Sequence, residues 1–383
     1  MTADYEAEGD RARPDNPNHH QAAGVPTGSG TVAPMSQPFR LDVIGLGSSP
    51  SDIQAIARQA EQAGFSGLWL TESTQPVYSL CTAAALATDG LAIGTGIAVA
   101  FARSPMVSAQ AAWMLAQATG GRFTLGLGTQ VRAHVERRYS AAFDHPGPRL
   151  EEYVAAVRSI FRAFRREERL RFDGDYYSFS LLPDMWSPGP MDHGDPPIYL
   201  AGVSPWMGRM IGEVADGMHV HPLNTVRYLD QVVRPAVAEG AARAGRDPGS
   251  VALACPVMTI VGDHEEERSA QREEVRMRIA FYGSTPGYEV VFDTHGWEGV
   301  GPRLNQLQRA GDFAGMAATV TDEMIDAFAV TASWDDLGPA LVDRYGGMAS
   351  HVICYSASSQ WAGDPATLER WGDVAREVAA SEG

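Results

Sequence analysis

From Phe39 to Tyr355 the chain alternates eight short apolar segments with segments of helical periodicity, and this alternation constrains its fold more than any other feature. Strand-like segments fall at 40–46, 67–72, 91–100, 122–128, 197–202, 216–221, 251–261 and 349–355. Helical patterns occupy most of the gaps, at 51–63, 76–88, 105–119, 146–165, 204–215, 225–244 and 333–345. In the first of them Ile53, Ile56, Ala57, Ala60 and Ala63 share one apolar face, and Gly64 stops the helix. Eight such units with no long apolar break between halves predict an α/β fold, a parallel (β/α)8 barrel of the TIM type, over an open doubly wound sheet. A barrel of ~250 residues with insertions accounts for most of the chain. The insertions are expected at 166–196, with a hairpin between Leu170 and Phe179, and at 263–330, helical but broken at 283–286 and 311–312. Residues 1–38, rich in Pro, Gly, Asn and charge, read as a disordered tail without the apolar core of a signal peptide, so one domain is expected over 39–383.

Composition removes several chemistries. All 30 basic residues are arginine; lysine is absent. There is therefore no Schiff-base lysine and no P-loop lysine, and any phosphate must be held by arginine, hydroxyls or backbone N–H groups. A formal charge of −17 argues against a nucleic-acid surface. No apolar run approaches the ~20 residues of a membrane span. Cys81, Cys255 and Cys354 are widely spaced with no metal pattern, which predicts reduced, buried thiols and a cytoplasmic setting. No GxSxG elbow or Cys–His pairing supplies a nucleophile.

In a barrel the chemistry collects at the C-terminal strand ends. The stretch from Thr119 to Gln130 contains the strand at 122–128, which ends in Gly-x-Gly-Thr and opens onto a helix near Arg132. Gly126 and Gly128 there suggest close approach to something flat or anionic, or simply tight strand–helix packing. Glu72 follows the second strand and reads as a cofactor-orienting or proton-moving carboxylate, or as a rim carboxylate. The third strand holds Gly94 and Gly96 and leads to Arg103, which is suited to pairing with Glu72 or gripping an anion. After the fifth strand Gly202, Val203, Ser204, Pro205 and Trp206 combine a tight turn with an N-cap. That is a helix end able to hold phosphate without lysine, and equally an ordinary capped helix. His219 and His221 lie on one side of the sixth strand and could face substrate or pack; no third metal ligand accompanies them, so no metal is expected. His134, just past the Gly-rich end, could reach a pocket or sit on a solvated helix face.

The runs GGRFTLGLGTQVRAHVERRY and FDHPGPRLEEYVAAVRSIF resemble the luciferase-like flavin and deazaflavin oxidoreductases. So do AEQAGFSGLWLTES at 60–73, IGTGIAVAFARSP at 93–105 and PPIYLAGVSPWMGRMIGEVADGMHVHP at 196–222. GLGTQVRAHVERR, FYGSTPGY at 281–288 and TDEMIDAFAV at 321–330 are similar to a mostly actinobacterial subgroup assigned to coenzyme F420.

The resemblance implies a soluble oxidoreductase that moves a hydride between C5 of F420 and a small organic substrate. The alternatives are an FMN-dependent monooxygenase served by a flavin reductase, and a non-catalytic flavin- or deazaflavin-binding protein. It further implies a non-proline cis peptide at Gly96–Ile97 behind the ring, ribityl contacts at Thr129 and Gln130, and a phosphate seat from Gly202 through Val203 and Ser204 to Trp206. Dimerisation through barrel helices is also implied. Two departures stand out: Ser73 and Val131 occupy positions where some F420-dependent members have histidine and glutamate.

Overall fold

The computed structural model describes residues 39–47 and 49–381; the tail expected over 1–38 lies outside them. Eight parallel strands form a closed barrel: Arg40–Gly45, Gly67–Leu70, Ala92–Thr95, Phe123–Gly128, Ile198–Gly202, Gly217–Val220, Ala252–Val261 and His351–Cys354. The eighth strand closes on the first, with Arg40 opposite His351 and Val43 opposite Cys354. Every expected strand is present, and the (β/α)8 architecture is the observed one.

The helices begin where side-chain caps are available. Ser49 makes a capping box with Asp52 before Pro50–Ala63, Ser104 caps Pro105–Ala118 and Ser204 caps Pro205–Val214. Between barrel wall and helices runs one apolar layer containing Trp113, Phe161, Phe164, Trp361 and Trp371. Cys81, Cys255 and Cys354 are free and buried, and burial pushes each thiol upward.

Three elements depart from the sequence-derived plan. The segment expected to be one helix at 225–244 carries a π-turn at Leu229–Val233. A short strand, Ala329–Ala332, pairs outside the barrel with the end of the seventh strand. After the eighth strand a 16-residue helix, Pro365–Ala380, buries Trp371, Val374, Ala375 and Val378 against the barrel. Asp364 caps that helix and Pro365 is its first residue, so its signals were present in the sequence. The insertion at 166–196 holds the hairpin, reduced to Phe172–Asp173 and Ser178–Phe179, and that at 263–330 is helical as expected.

The barrel interior is a second, smaller core of Ile44, Trp69, Tyr199, Ala252, Ala254 and Ile353, with Tyr355 packed against it. Large rings fit because glycine faces them. A Cβ on Gly94 would stand 2.6 Å from the Trp69 ring, and one on Gly217 would stand 2.7 Å from Tyr199. Asp42 anchors this layer, accepting from Trp69 Nε1 at 2.8 Å and lying 2.8 Å from His351 Nδ1.

Candidate active site

The third strand breaks at its C-terminal end. Gly94 lies opposite Thr124, yet Ala98 lies opposite Leu127, so four steps along the third strand match three along the fourth. This is a bulge, and the Gly96–Ile97 peptide within it is cis, at the bond the sequence resemblance indicated. Neighbours replace the missing ladder bonds. The Thr95 hydroxyl accepts the Gly126 N–H at 2.8 Å and donates to the Gly126 carbonyl at 2.6 Å. Thr71 donates to the Gly96 carbonyl at 2.8 Å, and the Gly96 N–H donates to Leu70 at 2.8 Å.

Glu72 and Arg103 clamp the far side of this bulge. Glu72 is buried, and its Oε2 accepts the Val99 N–H and an Arg103 Nη1 hydrogen, both at 2.7 Å, while Arg103 Nη2 pairs with Oε1. Arg103 also donates to the Val99 carbonyl at 3.0 Å and lies over the Tyr78 ring. Both Glu72 oxygens are thus engaged by groups that fix the backbone after the cis peptide.

The glycines of the Gly-x-Gly end serve this bulge. A Cβ on Gly126 would meet the Thr95 carbonyl at 1.8 Å, and one on Gly128 would meet Ile97 Cδ1 at 2.9 Å. The close approach read from the sequence exists, and the approaching group is the third strand. On the opposite side a Cβ on Gly96 would meet His219 Nε2 at 2.6 Å. His219 reaches across the interior to this point, and its Nε2 is buried with no hydrogen-bond partner among the described residues. Burial lowers His219 to about 4, so the ring is neutral.

Above the closed interior the rim opens. Gly96, Ile97, Thr129, Gln130, Gly202, Val203 and Ser204 are half-exposed, whereas the strand residues beneath them are buried. Gln130 has a left-handed backbone (φ 60°), and its own Oε1 accepts the Val131 N–H at 2.9 Å. At the fifth strand Gly202 packs under Met207, and a Cβ there would lie 2.6 Å from Met207 Cβ. Ser204 Oγ accepts the Met207 N–H at 3.3 Å and the Ser204 carbonyl accepts the Gly208 N–H at 3.0 Å. The Val203 carbonyl accepts from the Tyr228 hydroxyl, fixing the turn, and Trp206 is 43% exposed beside it. The helix N-terminus therefore faces outward, positively polarised and without a carboxylate in its first turn.

The two remaining histidines part company. His134 is exposed on the short helix Arg132–Arg137. Arg138, just after it, donates to the Ser73 carbonyl, so this segment straps across to the loop after the second strand. His221 is held: its Nδ1 accepts the Leu223 N–H at 3.0 Å, and its ring packs edge-on against Tyr282 (4.9 Å) and Tyr288 (4.6 Å). Burial lowers His221 to about 3. The sequence offers FYGSTPGY, which holds Tyr282 and Tyr288, only as part of a resemblance; it assigns no site role to them, to Tyr355 or to Arg278, because nothing local places the insertion over the barrel.

A cavity of about 610 Å³ opens over the first, second and eighth strands, lined by Gly45, Gly47, Thr71, Ser73, Ser358 and one face of helix Pro50–Ala63 among others. It adjoins the site beside Glu72 and does not cover the bulge. Among the described residues no group of three or more His, Cys, Asp or Glu side chains is placed to hold a metal ion.

Comparison with known proteins agrees with the barrel fold. Residues 27–351 match the family model described as luciferase-like monooxygenase. An uncharacterized protein of Mycobacterium tuberculosis is 39% identical over 318 residues, covering 82% of this chain and 94% of that one. The 5,10-methylenetetrahydromethanopterin reductase of Methanolobus tindarius is 31% identical over 303 residues, covering 76% and 87%. The solved coenzyme F420 dependent tetrahydromethanopterin reductase from Methanopyrus kandleri superposes with a TM-score of 0.71 at 20% identity, over 91% of this chain and 99% of that one.

Proposed function

The chain belongs to the luciferase-like monooxygenase family, and from that membership we propose that this oxidoreductase transfers a hydride between C5 of coenzyme F420 and a small organic substrate. The observation that carries the reading is the half-exposed Ile97 on its strand bulge, at the head of an otherwise closed interior and on the same strand-end rim as the helix N-terminus at Ser204. A flat ring needs an apolar backing, and its anionic tail needs N–H donors; both are built here without lysine. When bound, F420 supplies a two-electron hydride carrier, and the protein supplies position and surroundings.

Gly96 and Ile97 form the backing. Glu72 and Arg103 hold that backing in place from behind, as positioning residues. Thr129 and Gln130 line the adjoining rim toward the ribityl chain, and Gly202, Val203, Ser204 and Trp206 form the phosphate seat. His221, with Nδ1 accepting and Nε2 protonated, donates a hydrogen bond toward the substrate side and stays neutral at neutral pH. His134, on the strap that Arg138 ties to Ser73, is assigned to the outer edge of the pocket. The same reading includes a homodimer, for which Val107 and Met114, exposed on helix Pro105–Ala118, offer apolar surface. Size-exclusion chromatography with light scattering tests this, and a monomer would refute it.

The cofactor assignment is tested by titrating the full-length protein with oxidised F420 and following its fluorescence. We expect quenching with a dissociation constant of about 1 μM, near −8 kcal/mol. FMN binding at least as tight, with F420 left unbound, would replace this reading by the flavin monooxygenase one that the family description also covers. Binding of neither would leave a barrel without redox function.

A further inference from the structure

Helix Glu265–Gly283 carries four arginines, and three are matched to carboxylates: Arg268 to Glu265, Arg272 to Asp326 and Arg276 to Asp322, at 3.1, 3.2 and 2.7 Å. Arg278 is the exception. Its Nη1 donates to the Ser356 hydroxyl at 2.8 Å, and its guanidinium lies over the Tyr355 ring, 4.6 Å from the centroid. Both partners are neutral, although the chain as a whole has a formal charge of −17. With no counter-charge among the described residues, this half-buried guanidinium forgoes the charge-assisted hydrogen bonds that its planar fork is shaped for.

The groups around Arg278 are donors with protons to spare. The Tyr282 and Tyr355 hydroxyls are 2.5 Å apart, so one proton serves that contact and the second is left for another acceptor. Burial raises Tyr282, which keeps it protonated. His221 packs on Tyr282 and, with Nδ1 accepting from Leu223, carries its proton on Nε2. This group sits at the mouth of the barrel. Tyr355 directly follows the eighth strand and packs on the interior core, and His221 lies two residues beyond His219, the residue that touches Gly96.

We propose that this corner receives a carboxylate on the substrate, with Arg278 as the specificity-determining residue and the Tyr282–Tyr355 pair and His221 as donors to the same molecule. A single guanidinium among neutral donors matches a monoanion; a phosphate dianion would call for a second cation, which the described residues do not bring to this corner. The aromatic walls favour a flat or apolar body on the acid. The inference takes from the proposed function only that the occupant is a substrate; anion binding here does not require F420.

The test is calorimetric titration of the full-length protein with benzoate, benzamide and phenyl phosphate, alongside Arg278→Gln and Arg278→Lys. Benzoate is expected to bind at least about tenfold tighter than neutral benzamide, the scale of one charge-assisted contact. Arg278→Gln should abolish that preference and Arg278→Lys should keep part of it, with thermal melts confirming that both variants fold. Equal binding of benzoate and benzamide, a preference that survives Arg278→Gln, or stronger binding of phenyl phosphate than of benzoate would each overturn the proposal. F420 titration of Arg278→Gln separates the two readings. Unchanged F420 affinity is expected, and its loss would assign Arg278 to the cofactor tail and refute the substrate role. Should F420 fail to bind even wild-type protein while benzoate binds through Arg278, the anion site stands and the F420 assignment falls.

Discussion

Gly96 and His219 meet across the barrel so closely that a single methyl on Gly96 would lie 2.6 Å from the His219 Nε2 atom. The backing of the candidate cofactor site and the interior of the barrel are therefore one packing problem. Gly96→Ala is expected to cost about 1–3 kcal/mol through overpacking. Urea unfolding measures this, and the paired variant Gly96→Ala/His219→Ala should recover part of the loss. If the double variant is no more stable than the sum of the single effects allows, the contact is not what requires glycine.

Glu72→Gln leaves Arg103 without its counter-charge beside a nearly buried partner whose side chain is 3% exposed. Removing one member of a buried pair costs about 3–5 kcal/mol. The variant should also weaken F420 binding, because the bulge it steadies carries Ile97. A stable variant with unchanged F420 affinity would show that Glu72 positions nothing.

Folding should depend on pH through two histidines. His219 and His221 titrate near 6.5 when unfolded and, through desolvation first, at about 4 and about 3 when folded. Below pH 6.5 the unfolded chain binds protons that the folded protein refuses. The stability these neutral rings provide is thus complete above about pH 6.5 and is lost as pH falls toward 4 and then 3. For His219 the change is on the order of 3 kcal/mol. Chemical denaturation between pH 7 and pH 4 should show this decline, and His219→Gln should flatten it; an equally steep decline in that variant would exclude His219 as the source.

Gln130 holds a left-handed backbone that glycine adopts without strain. Gln130→Gly should therefore preserve stability or raise it by up to about 1 kcal/mol. If the side chain lines the cofactor rim, the same substitution lowers F420 affinity. A gain in stability with no change in affinity would restrict Gln130 to a turn.

The sites differ in how far they could be read in advance. Ser204 was legible as a cap because capping depends on residues within one helical turn, and the Ser204–Met207 bond is local. The Glu72–Arg103 pair was legible as one of two alternatives, since both residues sit at strand ends of the same rim. The corner of Arg278, Tyr282 and Tyr355 was not, because its hydrogen bonds span more than 70 residues and no local pattern fixes how the insertion folds back.

Periodicity and turn chemistry, which act over a few residues, determined from sequence alone the eight strands and the Ser204 cap, and composition alone excluded lysine chemistry. Tertiary structure decided which neighbour each glycine accommodates, which arginine of helix Glu265–Gly283 faces neutral partners and which histidine crosses the barrel. Those outcomes depend on distances between segments far apart in the chain, and such distances exist only once the cylinder has closed and its interior has packed.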